Sequence, residues 1–202
     1  MKIGVLASTR GTDLQAIIDE IEAGSLDAEI SCVISNKESA GALDKARAHS
    51  IDAIFIDPDD KSREEFDEEI AAELGKRGVE LVLLIGYMRI LSPSFVRKYE
   101  NRIMNAHPSL LPAFAGGMDT NVHREVLESG VKETGCTIHF VTEDVDSGPI
   151  ILQKKVLVEK NDTEETLKAK VQEQEKIAFI EAINLFKDGK LKIEGSTVTI
   201  LK

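Results

Sequence analysis

The stretch Lys2–Ile21, "KIGVLASTRGTDLQAIIDEI", changes its apolar period half-way along, and that change decides the fold. Lys2–Ala7 is a short apolar run that stops at Ser-Thr-Arg-Gly-Thr, the pattern of a strand buried on both faces. After the loop, Leu14, Ile17, Ile18 and Ile21 recur at i, i+3, i+4 and i+7, the stripe of a helix that Gly24 closes. The unit repeats downstream. Ile30–Ser35 reads as a strand, Ala40–Ala48 as a helix and Ala53–Ile56 as a short third strand. Phe66, Ile70 and Leu74 mark a helix stopped at Gly78, Val79–Ile85 ("VELVLLI") is the most apolar strand, and Arg102–Asn105 is the next. This β-α-β-α-β-α-β order predicts an α/β fold, a mainly parallel sheet with helices on both faces. A helix near Asn121–Leu127 and strands over Thr134–Val141 and Pro149–Val158 follow. A long helix from about Thr163 to Lys187 opens with a capping-box-like Asp162-x-x-Glu165, and a hairpin is expected across Leu191–Ile193 and Thr197–Leu201.

The 202 residues are enough for one domain with a proper core, and no repeat or linker divides them, so a single domain over 1–202 is expected. No apolar run approaches a membrane span, and MKIGVLAS does not read as a secretory leader. Cys32 and Cys136 have neither metal nor disulfide-scaffold spacing, which suits a reducing cytoplasm. The net charge of −11 repels nucleic acid and other polyanions. A small anion needs local arginines or backbone amides instead.

Ligands of parallel sheets bind at the carboxyl ends of the strands. The loop after Ala7, the segment after Ile85 and "MNAHPSLLP" (Met104–Pro112) all leave such ends, so one rim is expected to carry all three. In the loop Ser8–Asp13, amides at the helix start favour an anion and Gly11 allows close approach. The alternative is a plain turn capped by Thr12 or Asp13. A dinucleotide site is disfavoured, because G-x-G-x-x-G is incomplete and Ser35-Asn36-Lys37 stands where an acidic residue belongs.

Asn105 and His107, two apart at a strand end, can point the same way, and Pro108 and Pro112 stiffen the loop beyond them. Such a pair can hydrogen-bond an oxyanion while the imidazole handles a proton. A His-Pro turn with an asparagine cap is the alternative. Neither a metal site on His107, His123 and His139 nor a G-x-S-x-G triad is supported by spacing. Asp144 and Asp146, in "TEDVDSGP", can each supply a carboxylate to the histidine.

Taken together, "LASTRGTDLQAII" (Leu6–Ile18), "GYMRILSP" (Gly86–Pro93), "MNAHPSLLPAF" and "TGCTIHFVTEDVDSGPIILQ" (Thr134–Gln153) resemble, in order and over nearly the whole chain, the folate-dependent formyltransferases. The resemblance lies with the purine-synthesis branch, which formylates glycinamide ribonucleotide. It implies a Rossmann-like formyltransferase fold, 10-formyltetrahydrofolate as co-substrate, no metal, and direct attack of the substrate's glycyl amine on the formyl carbon. It implies small-molecule partners only, a cytoplasmic protein without nucleic acid or membrane, and a monomer or homodimer. It also assigns oxyanion stabilisation to Asn105 and His107, with His107 in proton transfer. Asp146, rather than Asp144, becomes the carboxylate that favours the imidazolium.

Further positions match the family's sites one at a time. Gly11, Thr12 and Asp13 fall on its phosphate loop, beside Arg10. Gln172 and Glu175 fall on residues holding the ribose end, and Arg63, Met88, Arg89, Ile90 and Leu91 on the folate wall. Thr142, Glu143, Asp144, Val145 and Asp146 form the wall's last segment, which with Asn105 completes the folate set. Taken singly, Gln172 and Glu175 read as solvated helix charges, and Met88 and Leu91 as core. The resemblance also implies a cis Leu111–Pro112 bond. Two departures stand out. The phosphate loop carries Asp13, whose charge opposes phosphate unless it caps the helix while Arg10 compensates. Ala115–Glu125 is longer than in many relatives, which puts substrate contacts there, and any role of His123, in question. Formyltetrahydrofolate deformylases normally carry a preceding regulatory domain, and methionyl-tRNA formyltransferases a following RNA-binding one, so both fit less well. A folate-binding protein without activity would not need Asn105, His107 and Asp146 together.

Overall fold

The structure is a computed structural model that describes residues 1–116 and 119–202, with backbone alone for 119–121. It divides into two compact units, Met1–Met104 and Asn105–Lys202. The first holds β1 (Lys2–Ala7), α1 (Thr12–Glu22), β2 (Glu29–Ser35), α2 (Gly41–Ala48), β3 (Ala53–Phe55), α3 (Arg63–Lys76), β4 (Leu81–Ile85) and α4 (Pro93–Lys98), and it ends within β5 (Ile103–His107). The second continues with α5 (Asp119–Ser129), β6 (Glu133–Phe140), β7 (Ile150–Leu157), α6 (Glu164–Lys187) and the hairpin β8 (Leu191–Glu194)–β9 (Thr197–Ile200).

In the first unit the strands hydrogen-bond in the order β3-β2-β1-β4. β1 pairs in parallel with β2 and β4, and β2 with β3, so the expected parallel α/β sheet is present. Right-handed crossovers then put α1 and α2 on one face of the first unit and α3 and α4 on the other. The contacts α1–α2 and α3–α4 agree with that placement. With both faces covered, β1 and β4 are continuously apolar, and Val5, Leu6, Leu81, Val82 and Leu83 are fully buried. The switch in strand order falls between β1 and β4, whose paired ends Ala7 and Ile85 release the loops at 8–11 and 86–92. β6 and β7 form an antiparallel pair, and α6 packs on both of them.

Three local readings change. α4 has no counterpart in the periodicity, because six residues are too few to show one; Ser92 starts it by accepting a bond from the Phe95 amide, with proline just inside. The box at the start of α6 is built by Thr163 and Thr166 rather than by Asp162 and Glu165. Asp162 instead accepts from the Glu159 amide and pairs with Lys170 at 2.9 Å. β4 begins at Leu81, after Val79 and Glu80 have tied back to α3 and to Lys2.

α3 carries a reciprocal capping box. The Glu65 amide donates to Ser62 Oγ at 3.2 Å, and the Ser62 amide donates to Glu65 Oε2 at 2.9 Å. Ser62→Ala is expected to cost about 1 kcal/mol in urea unfolding. An unchanged midpoint would show that the box is ornamental.

Candidate active site

The second unit carries the central constellation. β5 ends on Asn105 and His107, and alternation along the strand sends both side chains the same way. His107 is almost wholly buried, with Nδ1 3.3 Å from Asp146 Oδ2, while Nε2 donates to the Phe114 carbonyl at 3.0 Å. Both ring nitrogens thus face acceptors, which is the arrangement an imidazolium requires. Asp146 is the carboxylate at the histidine, whereas Asp144 is exposed. Burial works to raise the Asp146 carboxyl, but the His107 hydrogen bond and the Gly116 amide outweigh it and hold the group below the usual range. Asp146 sits at φ 52, a left-handed conformation that its short polar side chain tolerates.

His139 adds a member that the spacing did not reveal. Its Nδ1 lies 2.9 Å from the Phe140 carbonyl and so must carry the proton; burial lowers the ring's pKa, keeping it neutral. The Nε2 lone pair then accepts from Asn105 Nδ2 at 3.3 Å, which fixes the carboxamide's orientation. Nε2 is also 3.8 Å from Asp146 Oδ1. The prolyl loop is tied down just as firmly. Thr137 Oγ1 donates to the Ser109 carbonyl at 2.7 Å and accepts from the Leu111 amide at 3.0 Å and from Gln153 Nε2 at 2.8 Å. The Leu111–Pro112 bond is cis, as the resemblance implied.

In the first unit, the loop before α1 departs from the expected cap. Gly11, at φ 65, is the N-cap, so neither Thr12 nor Asp13 occupies that position, and among the described residues no side chain caps the helix there. A Cβ on Gly11 would come 2.9 Å from the Ala42 Cβ, which explains why glycine stands there. Asp13 lies inside the first turn, where it complements the helix dipole, and Arg10 is exposed. Ser8 ties this loop to the next strand end. Its amide donates to the Gly86 carbonyl at 3.1 Å, and its hydroxyl donates to Asn36 Oδ1 at 2.6 Å and accepts from the Met88 amide at 2.9 Å. Beyond Gly86, Met88 and Ile90 are 39% and 58% exposed while Leu91 is buried. The segment therefore offers apolar side chains to solvent at a strand end. The Arg89 guanidinium lies 4.5 Å above the Phe66 ring, and Arg63, the first residue of α3, bears on the same neighbourhood through the charge of Asp67.

The formyl transferase family matches residues 1–183, nearly the whole chain. The chain belongs to the formyl transferase family. Its similarity to the phosphoribosylglycinamide formyltransferase of Escherichia coli (strain K12) is 42% identity over 96% of this chain and 90% of that one. It is 45% identical, over 96% of its own length, to the trifunctional purine biosynthetic protein adenosine-3 of Gallus gallus, of which it spans 19%. The crystal structure of glycinamide ribonucleotide transformylase 1 from Symbiobacterium toebii superposes with a TM-score of 0.96 at 46% identity, covering all of this chain and 94% of that one.

Within this formyl transferase, the remaining positions divide between the readings. Glu175 is buried on the stripe of Leu167, Val171 and Ala178, so it is not a solvated helix charge; Gln172, one turn before it, is half-buried. Leu91 is core, Met88 is not. In the segment Thr142–Asp146, Thr142 Oγ1 donates to the Asp144 carbonyl and Val145 is 52% exposed. Gly148 ends the turn where a Cβ would collide with the Phe140 carbonyl oxygen. The long stretch Ala115–Glu125 lies partly outside the described residues, at 117–118. From Asp119 on it is helix α5, which buries His123. Among the described residues, no group of histidine, cysteine, aspartate and glutamate could hold a metal ion, and no helix is long and apolar enough to cross a membrane. Cys32 and Cys136 are buried without a disulfide, and burial pushes the Cys32 thiol up to about 11.

The depressed pKa values of His139 and Asp146 share a sign. Each group takes up protons more readily unfolded than folded, so stability is lost as pH falls through the window between its two pKa values. For His139 that loss starts below its ordinary value of 6.5. The urea midpoint is expected to drop on acidification there, with a flatter slope in His139→Gln. An identical slope in the variant would remove His139 from the acid response.

Proposed function

We propose that this chain transfers the formyl group of 10-formyltetrahydrofolate to the glycyl amine of 5'-phosphoribosylglycinamide, a step of purine synthesis. The observation that carries the reading is His107, with an acceptor at each ring nitrogen and an Asp146 carboxylate held ionised 3.3 Å away. The amine attacks the formyl carbon, and the carbonyl oxygen becomes an oxyanion. One Asn105 N–H is committed to His139, and the other donates to that oxygen. His107 Nε2–H donates as well, exchanging its Phe114 carbonyl partner for the substrate. Collapse breaks the bond to the folate nitrogen. The amine loses a proton, the folate nitrogen gains one, and His107 beside Asp146 carries the transfer. No enzyme nucleophile and no metal are needed.

The binding residues follow by family resemblance. In the first unit, Arg10, Gly11, Thr12 and Asp13 face the phosphate, and Arg63, Met88, Arg89, Ile90 and Leu91 the folate. In the second, Gln172 and Glu175 face the ribose, and Thr142, Glu143, Asp144, Val145 and Asp146 the folate along with Asn105. The chain works as one formyltransferase domain over 1–202, cytoplasmic, as a monomer or homodimer, and its charge of −11 disfavours nucleic acid. The test is formyl transfer from 10-formyltetrahydrofolate to glycinamide ribonucleotide, with formate release measured in the nucleotide's absence. Transfer that needs the nucleotide supports the reading; nucleotide-independent formate release supports a deformylase.

Arg10 gives a narrower test. Asp13 lies in the first turn of α1 without being its N-cap, and Arg10, exposed in the same loop, is assigned here to the phosphate. A charge-assisted hydrogen bond of about 1.5 to 3 kcal/mol corresponds to roughly ten- to hundredfold in affinity. Arg10→Ala is expected to raise the nucleotide KM at least several-fold and leave the folate KM unchanged. Equal nucleotide KM values in variant and wild type would exclude Arg10.

A further inference from the structure

The Gly86–Leu91 segment has no strand or helix of its own, yet it is held at both ends. Ser8 holds the start through Gly86 and Met88. The far end meets Asp67, a carboxylate only 2% exposed on the inner side of α3, whose Oδ2 accepts from the fully buried Ser92 amide at 2.5 Å. A buried carboxylate is an expensive way to fill space, and an apolar residue of similar size would stabilise α3 better. Nor does α4 need it, because Ser92 Oγ already caps the Phe95 amide. Asp67 also sits among the segment's own side chains. Arg89 stacks on the adjacent Phe66, Arg89 and Arg63 both act on the Asp67 charge, and that charge in turn bears on the Tyr87 hydroxyl.

We propose that Asp67 is a positioning residue for the folate wall: by holding the Ser92 amide it fixes the course of Tyr87–Leu91, and so sets affinity for the co-substrate without touching it. This rests on the reading that the wall receives the folate. Burial pushes the Asp67 carboxyl up despite Ser92 and both arginines. What the Ser92 amide requires of this position is an acceptor oxygen, which asparagine can also supply.

Steady-state kinetics with both substrates separate the possibilities in Asp67→Ala and Asp67→Asn. Asp67→Ala is expected to raise the folate KM about tenfold or more, with the nucleotide KM and kcat within about threefold of wild type. Asp67→Asn is expected to restore the folate KM to within about threefold. Both KM values rising alike, neither rising, or asparagine failing as badly as alanine would overturn the proposal. Asp67→Ser, whose shorter side chain cannot reach the amide, replaces alanine if that variant does not fold. Hydrogen exchange of the unliganded protein decides independently of activity. Faster exchange at Met88–Ser92 in Asp67→Ala, with α3 and β4 unchanged, supports the anchor even if wild type transfers no formyl group. Unchanged exchange there refutes it.

Discussion

Replacing His107 with alanine is expected to lower kcat by about two orders of magnitude or more while the chain remains folded. The histidine is buried, and its two ring nitrogens engage Asp146 and the Phe114 carbonyl, so its direction is set before substrate arrives. A donor prepositioned on a developing oxyanion is worth about 2.7 to 4 kcal/mol, and alanine removes it together with the proton carrier. Asn105→Ala is expected to lose about a hundredfold, because His139 spends one carboxamide N–H to aim the other. The KM values should move much less than kcat, since these contacts strengthen only in the transition state. Near-normal kcat in either folded variant would remove that residue from the mechanism.

Asp146→Asn is the second large effect, an expected loss of about a hundredfold near neutral pH. Asparagine keeps an oxygen for the Gly116 amide, so the turn survives, but it offers no negative charge to His107 at 3.3 Å. Because the Asp146 pKa lies below the ordinary 3.8, the carboxylate stays ionised as pH falls, and its support of the imidazolium is lost only below that value. Wild type should therefore show no acid limb from Asp146 above about pH 4. Wild-type turnover in Asp146→Asn would mean that the carboxylate serves folding alone.

Much of this architecture was legible. The strand-to-helix change of period at Ser8–Asp13 recurs, and repeated βα units allow few topologies other than a parallel sheet with both faces covered. The pair Asn105 and His107 was legible because strand alternation alone places them on one side. What was not legible depends on partners far along the chain. His139 reaches Asn105 across 34 residues, Thr137 reaches Leu111 across 26, and Asp67 reaches Ser92 across 25. No local pattern marks any of these three. The cap of α1 failed as a reading for a different reason: Thr12 and Asp13 suit an N-cap, but the contact with Ala42 requires glycine one position earlier and moves the helix start. Glu175 looked solvated because charge on a helix normally is, and only the packing of α6 placed it on the buried stripe.

The most direct test of the central claim tracks the formyl carbon itself. Donor 10-formyltetrahydrofolate carrying an isotopically labelled formyl carbon is incubated with glycinamide ribonucleotide and either wild type or His107→Ala. The account predicts that wild type moves the label onto the nucleotide's glycyl nitrogen with little label in formate, and that the variant is at least about a hundredfold slower. Label appearing chiefly as formate, or the same rate of nucleotide labelling in both proteins, would contradict it.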